Sequence, residues 1–290
     1  MSDVKTSSEW ISDWPAGKPI YVDYVDVPGD GGEWKKGLRP HLEYRDLGLS
    51  EATGGKLAAQ HIRTVGKAGE MKNGWHCHDL DFQFFYVLNG WMKLRNQDDE
   101  EVTFKAGSTG YQPPFYWHDE YEFSEDYELI EITAPSQVGT IQGRETPLPP
   151  RAATLDPHRK PVYTHDSDDA YVLGAGPRKF FEYRDFGTDE PTDGRIHIHA
   201  IRATGEPGEG TGWHYHSMAQ WFFILGGSAG IRHMDKQRRT LRPGDGMGYG
   251  YGTENVHNVA PYSGDYHLIE LCTPAEYETI ATDPPAGADD

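Results

Sequence analysis

Cysteine is nearly absent from this 290-residue chain: Cys77 and Cys272 are the only two, too few for a disulfide framework. Long apolar runs are missing as well, and no stretch approaches the ~18 consecutive apolar residues of a membrane span. Base is scarce against acid. Twenty-seven Lys and Arg face 46 Asp and Glu, a formal charge of −19. Such a surface repels nucleic acid and anionic lipid, so neither is expected as a partner. The opening MSDVKTSSEWISDWPAG has neither the basic start nor the apolar core of a secretory signal, so the expected location is the cytoplasm. The sequence also lacks a Walker-type loop, a nucleophile elbow, a dinucleotide fingerprint and any carboxylate pair at a spacing that would itself point to glycosidase chemistry.

What is present is apolar and aromatic enough to fold: 36% hydrophobic residues, with 8 Trp, 17 Tyr and 11 Phe. Thirty-four Gly and 20 Pro favour many turns and short strands over long helices. Internal duplication is the strongest organising signal. LEYRDLG (42–48) returns as FEYRDFG (181–187), GWHCH (74–78) as GWHYH (212–216), QFF (83–85) as QWF (220–222), and LIEITAP (129–135) as LIELCTP (268–274). Matches in the same order at a nearly constant offset mean two tandem copies of one unit of roughly 100 residues, too long for a solenoid repeat. The expected layout is an N-terminal arm over 1–40, domain 1 over 41–136, a Pro-rich linker over 137–179, domain 2 over 180–276 and a tail over 277–290. Each copy reads as short aromatic and β-branched runs broken by glycine, hence all-β, as two small antiparallel barrels or sandwiches.

Fourteen histidines are many for this length. Residues two apart on a strand share a face, so His76 with His78, and His214 with His216, can present two imidazoles side by side. A third histidine follows after a Gly-rich turn, His118 in one copy and His257 in the other. Imidazole suits most first-row metals, so each trio is a candidate metal site. A lone His-X-His is weak evidence; recurrence of the set HxH…Q…H in both copies is what raises these two. The unrepeated pair His197 and His199, which meets Ala58 and Gln60 in the other copy, is expected to line the lumen or be satisfied in the core. Phe82, Phe84, Tyr86, Tyr111, Phe115 and Trp117 are candidates for an aromatic wall in copy one, and Phe222, Tyr249 and Tyr251 in copy two.

These residues resemble the cupin family. His76, His78, Gln83 and Gly90 follow its first motif, as do Gly208, His214, His216, Gln220 and Gly227. Its second motif is met by Gly107, Pro113 and His118, with Phe115 where glycine is usual; in copy two Gly244 and His257 remain, Gly250 replaces the proline, and the spacing is two residues longer. The resemblance covers roughly residues 42–135 and 181–275. It implies a bicupin, two tandem double-stranded β-helix or jelly-roll barrels, each holding a divalent transition metal on three histidines. Iron heads the expected metals, with Mn, Ni, Zn, Cu and Co also suited.

Cupins with four protein ligands commonly use three His and one Glu; Gln83 and Gln220 stand at the acid's place. A Gln donor leaves the ion's charge uncompensated, which favours an anionic chelating substrate. Gln83 and Gln220 are accordingly expected to contact bound substrate. The implied activity is that of a cupin dioxygenase cleaving a C–C bond of a small aromatic or enolisable substrate with O2. Two alternatives stay open: a non-redox isomerase or lyase of a keto- or hydroxy-acid, and a bicupin that binds without turnover. Exposed edge strands are compatible with a homodimer.

Overall fold

A computed structural model of the chain describes residues 10–37, 39–66, 73–234 and 238–286; the first nine residues of the N-terminal arm and the last four of the tail lie outside it. The chain divides into two units, residues 1–13 with 33–166 and residues 14–32 with 167–290. Each is an antiparallel pair of sheets, one of seven strands and one of five, in the same order.

In unit 1 the larger sheet runs Val162–Thr164, Thr109–Gln112, Phe82–Asn89, Glu128–Ala134, Ala58–Thr64, Leu42–Asp46, Lys35–Lys36. The smaller runs Gly139–Gln142, His76–Asp79, His118–Phe123, Trp91–Asn96, Glu101–Lys105. Leu42, Ile62, Phe85 and Val87 of the first meet Met92, Leu94, Phe104 and Phe123 of the second in one buried cluster, so the sheets pack face to face. Each unit is therefore a jelly roll of two facing sheets rather than a closed barrel. Alternation explains why: Trp91–Asn96 buries Met92 and Leu94 and turns Lys93 and Arg95 outward. Burial of one such side chain contributes roughly 1.5–3 kcal/mol.

Unit 2 repeats the order with Val25–Val27, Gly246–Tyr249, Ala219–Gly226, His267–Thr273, His197–Ala203, Phe181–Asp185, Val172–Leu173 in one sheet. The other holds Arg239–Leu241, Ala229–His233, His257–Tyr262, His214–His216, Thr279–Ala281. Segments outside the repeats supply strands. Val25–Val27, which precedes copy one, pairs with Gly246–Tyr249 in unit 2, and Val162–Thr164, which precedes copy two, pairs with Thr109–Gln112 in unit 1. Gly139–Gln142 and Thr279–Ala281 each flank an HxH strand.

The duplicated RD[LF]G has a local cause. Asp46 and Asp185 each accept a hydrogen bond at 2.8 Å from the backbone N–H two residues on, and Gly48 and Gly187 take φ of 79° and 68°, where a side chain would be strained. One helical turn, Leu49–Ala52, follows in unit 1. No helix among the described residues is long and apolar enough to cross a membrane.

Candidate metal centres

The HxH strands lie in the smaller sheet beside the strand bearing the third histidine. His76 pairs directly with His118, and His214 with His257. In each trio the candidate ligand atoms lie within 4.8 Å of one another. Ring centroids are 4.4–5.3 Å apart in unit 1 and 4.2–5.1 Å in unit 2.

The outer ring nitrogens are tied down identically. His76 Nδ1 is 2.7 Å from Gly74 O and His118 Nδ1 2.8 Å from Tyr116 O; His214 Nδ1 is 2.8 Å from Gly212 O and His257 Nδ1 2.9 Å from Asn255 O. A carbonyl only accepts, so Nδ1 carries the proton and Nε2 keeps its lone pair for the cluster. The middle histidines use threonine: His78 Nδ1 is 3.2 Å from Thr140 Oγ1, and His216 Nδ1 2.9 Å from Thr279 Oγ1. Burial pushes His118 and His214 down to about 4 and His216 to about 3, and lowers His78 and His257 too. These imidazoles are neutral at physiological pH, as a metal requires. His118 Nε2 is buried without a hydrogen-bond partner, the orphan a cation would satisfy.

The turn leading to the third histidine is fixed to the HxH strand in both units: Phe115 N–H donates to His78 O and Gly252 N–H to His216 O, each at 2.9 Å. Phe115 stands where the motif has glycine, and it adopts the glycine conformation, φ 55°, against 85° for Gly252. Packing of Phe115 with Cys77 and Trp117 holds it there.

The two glutamines do not behave alike. Gln83 donates through Nε2 to Glu131 at 2.8 Å, whereas Gln220 Nε2 lies 3.4 Å from His257 Nε2. Three groups escaped the sequence reading. Glu120 sits two residues after His118 on the same strand and face, its carboxylate 3.6 Å from His76 Nε2 and 3.8 Å from His118 Nε2. Burial alone would raise this carboxyl, but His76, His118 and a 2.6 Å hydrogen bond from Asn73 outweigh it and hold it at about 2. Unit 1 thus offers three imidazoles and a carboxylate, from a position other than the usual one. Copy two has Val259 there. The same i, i+2 rule that paired the histidines would have found Glu120.

The second group is an arginine in each copy, Arg39 and Arg178, three residues before the repeated LEYRD and FEYRD; each lines its unit's cavity. Arg178 Nη2 is buried with no hydrogen-bond partner. The third is the acid of the repeated LIE. Burial, opposed by Gln83 and reinforced by Glu120, pushes Glu131 up to about 7; Glu270 is also pushed up by burial, but the hydrogen bond from His199 brings it below the usual range.

The cavities at the two histidine trios differ in volume. That of unit 1 is about 520 Å3 and reaches from His76, His78, Gln83, Glu120 and Glu131 to Arg39, Lys35 and Lys36. That of unit 2 is about 80 Å3, closed in by Phe181, Phe222, Tyr249, Tyr266 and Tyr277. The expected wall of copy one is displaced: Phe82, Phe84, Tyr86, Tyr111, Phe115 and Trp117 are buried away from the cavity, which Tyr44, Phe123 and Tyr127 line instead. In copy two Phe222 and Tyr249 do line it, without Tyr251.

The family model for the cupin domain matches residues 64–129 and 202–260. Oxalate decarboxylase from Bacillus subtilis superposes with a TM-score of 0.57 at 14% identity, over 92% of this chain and 80% of that one. Protein Ylba from E. coli gives 0.60 at 13%, over 89% and 93%. Another structure of the decarboxylase, matching at 0.57 and 14% over 92% and 81%, concerns its Mn(II) centres. No curated protein matches in sequence. Identities this low carry the fold.

Proposed function

The chain is a bicupin, two cupin domains in tandem, and from that premise we propose that it is a metal-dependent enzyme whose unit 1 turns over a small anionic chelating substrate by oxidative C–C cleavage with dioxygen. The observation that carries the reading is a substrate-sized cavity that reaches a three-histidine cluster through His76 and His78, with the Glu120 carboxylate beside it and a cationic rim. A volume of about 520 Å3 falls among small-molecule sites. His76, His78, His118 and Glu120 would hold the metal. Bound there, a divalent ion such as iron would polarise a chelated enolate or phenolate and supply the one-electron chemistry dioxygen requires.

The chain's own groups supply the rest. Glu120 cancels one of the ion's two charges, so the site favours a substrate delivering a single negative oxygen. Arg39, which donates to Asn73 O at 3.3 Å, offers its guanidinium to a second anionic group. Leu42, Ile62 and Leu129 give the cavity an apolar part of its wall. Glu131, titrating near 7, can take or give a proton at the substrate.

That same acid favours a second reading, non-redox isomerisation or lysis of a keto- or hydroxy-acid, in which Glu131 moves the proton while the metal polarises a carbonyl. The test is an oxygen electrode run on iron-loaded protein with a panel of enolisable and phenolic acids. Oxidative cleavage predicts one O2 consumed per substrate lost and no turnover without oxygen. Turnover that continues in anaerobic buffer overturns it in favour of the second reading.

A further inference from the structure

His197 and His199 are two apart on one strand, so they share a face. His197 Nε2 lies 2.7 Å from His199 Nδ1. Glu270, opposite His199 in register, places Oε2 2.9 Å from His199 Nε2. A carboxylate only accepts, so His199 Nε2 carries a proton; its Nδ1 is then an acceptor, and His197 Nε2 donates to it. The three groups form a single directed file of hydrogen bonds.

The file joins two spaces. His197 and His199 both line a cavity of about 640 Å3 with Asp185 and Glu276; His197 is the more exposed of the two, and its Nδ1 stands 3.8 Å from Asp185 Oδ1, on a side chain 63% exposed. Glu270 lines the small pocket of His214, His216 and His257. Once a ligand fills about 80 Å3, little room is left for water to carry a proton.

We propose that His197, His199 and Glu270 are a proton wire between solvent and the three-histidine pocket of unit 2, a role distinct from the chemistry assigned to unit 1. A proton arriving at His197 Nδ1 releases the one on Nε2 to His199 Nδ1; His199 releases its Nε2 proton to Glu270 Oε2, which presents it to the pocket. One proton enters and one leaves at each step, no electron moves, and the reverse order exports a proton. The starting state is set by the surroundings. Burial keeps His197 neutral against the pull of Asp185, Asp189 and Glu270, and the hydrogen bond from His199 holds Glu270 below the ordinary carboxyl range in spite of its burial among Cys272, Tyr183, Tyr249, Tyr266 and Tyr277. Unit 1 is the internal control, since Ala58 and Gln60 occupy the two histidine positions and cannot relay.

The test is NMR on the full-length chain with 15N-labelled histidine, reading ring tautomers and solvent exchange of the His199 Nε2 proton. The wire predicts Nε2–H on both rings, with His199 exchange slowed roughly tenfold or more in His197→Gln, which keeps a donor to His199 but cannot pass a proton. His197→Phe should slow it equally. An unchanged exchange rate in His197→Gln overturns the wire, as does a His199 protonated at Nδ1 with Nε2 bare. A third zinc ion per chain, lost in Cys272→Ser, would also overturn it, because His199, Glu270 and Cys272 would then be ligands.

Discussion

Unit 1 and unit 2 share a strand order, three histidines with their outer nitrogens held alike, an arginine and an inner glutamate, yet their sites are built for different work. Unit 1 adds Glu120, leaves Glu131 hydrogen-bonded to an amide, and opens into about 520 Å3. Unit 2 has Val259 for Glu120, joins Glu270 to a histidine, and closes down to about 80 Å3. Duplication kept the parts that position imidazoles and let the parts that set charge and space diverge. What is common is the histidine trio with its supports; what differs is the charge and the space around it.

The bluntest way to break this comparison is to remove one trio at a time. His118→Ala should empty unit 1 and leave unit 2 loaded, His257→Ala the reverse, each halving the metal per chain by elemental analysis. A single substitution that empties both would end the view of two independent centres. The next effect separates the inner glutamates. An acid with a folded value of about 7 and an ordinary value of 4.5 binds its proton more tightly when folded. Below 4.5 it contributes no pH dependence; as pH rises from 4.5 to 7 stability falls, and above 7 the full penalty of about 3 kcal/mol stands. Glu131→Gln should remove that loss, so metal-free wild type and variant denatured at pH 5 and pH 8 should differ by a pH-dependent term of this sign. Equal slopes would show that Glu131 is ionised throughout.

A smaller effect probes the carboxylate. Glu120→Gln should weaken unit 1 for a divalent ion by roughly 10–100-fold and leave unit 2 unchanged, as loss of a weak ligand or of its immediate support does. Val259→Glu should strengthen unit 2, measured by competition with a chromophoric chelator. Unchanged affinity in Glu120→Gln would return the acid to the role of a neighbour.

How far the sequence discloses these sites follows from which rules are local. His76 with His78 and His214 with His216 are legible because strand periodicity is fixed by the backbone, and recurrence shows that the third histidine belongs with them. Periodicity would equally have exposed Glu120, had it been applied beyond histidine. The aromatic wall was not legible: Phe82, Phe84 and Tyr86 lie on a strand with six consecutive buried residues, so period alone cannot say which face meets the cavity and which the opposite core. Nor could it tell that His199 meets Glu270, since pairing between distant strands depends on register set by the whole sheet.

The smallest effect concerns the turn before the third histidine. Phe115 and Gly252 both hold a positive φ and both bind the HxH strand through the backbone N–H. A β-carbon on Gly252 would meet only the Glu254 side chain, at 3.2 Å, which can move aside, so Gly252→Ala is limited by backbone strain rather than by a clash. Its cost should be about 1 kcal/mol in denaturation of unit 2. Phe115 shows that the turn survives such a residue, so metal affinity of unit 2 should stay within about twofold, as the hydrogen bond to His216 persists. A large loss of affinity in Gly252→Ala would mean that unit 2 depends on glycine to place His257, whereas in unit 1 packing of Phe115 with Cys77 and Trp117 holds the turn.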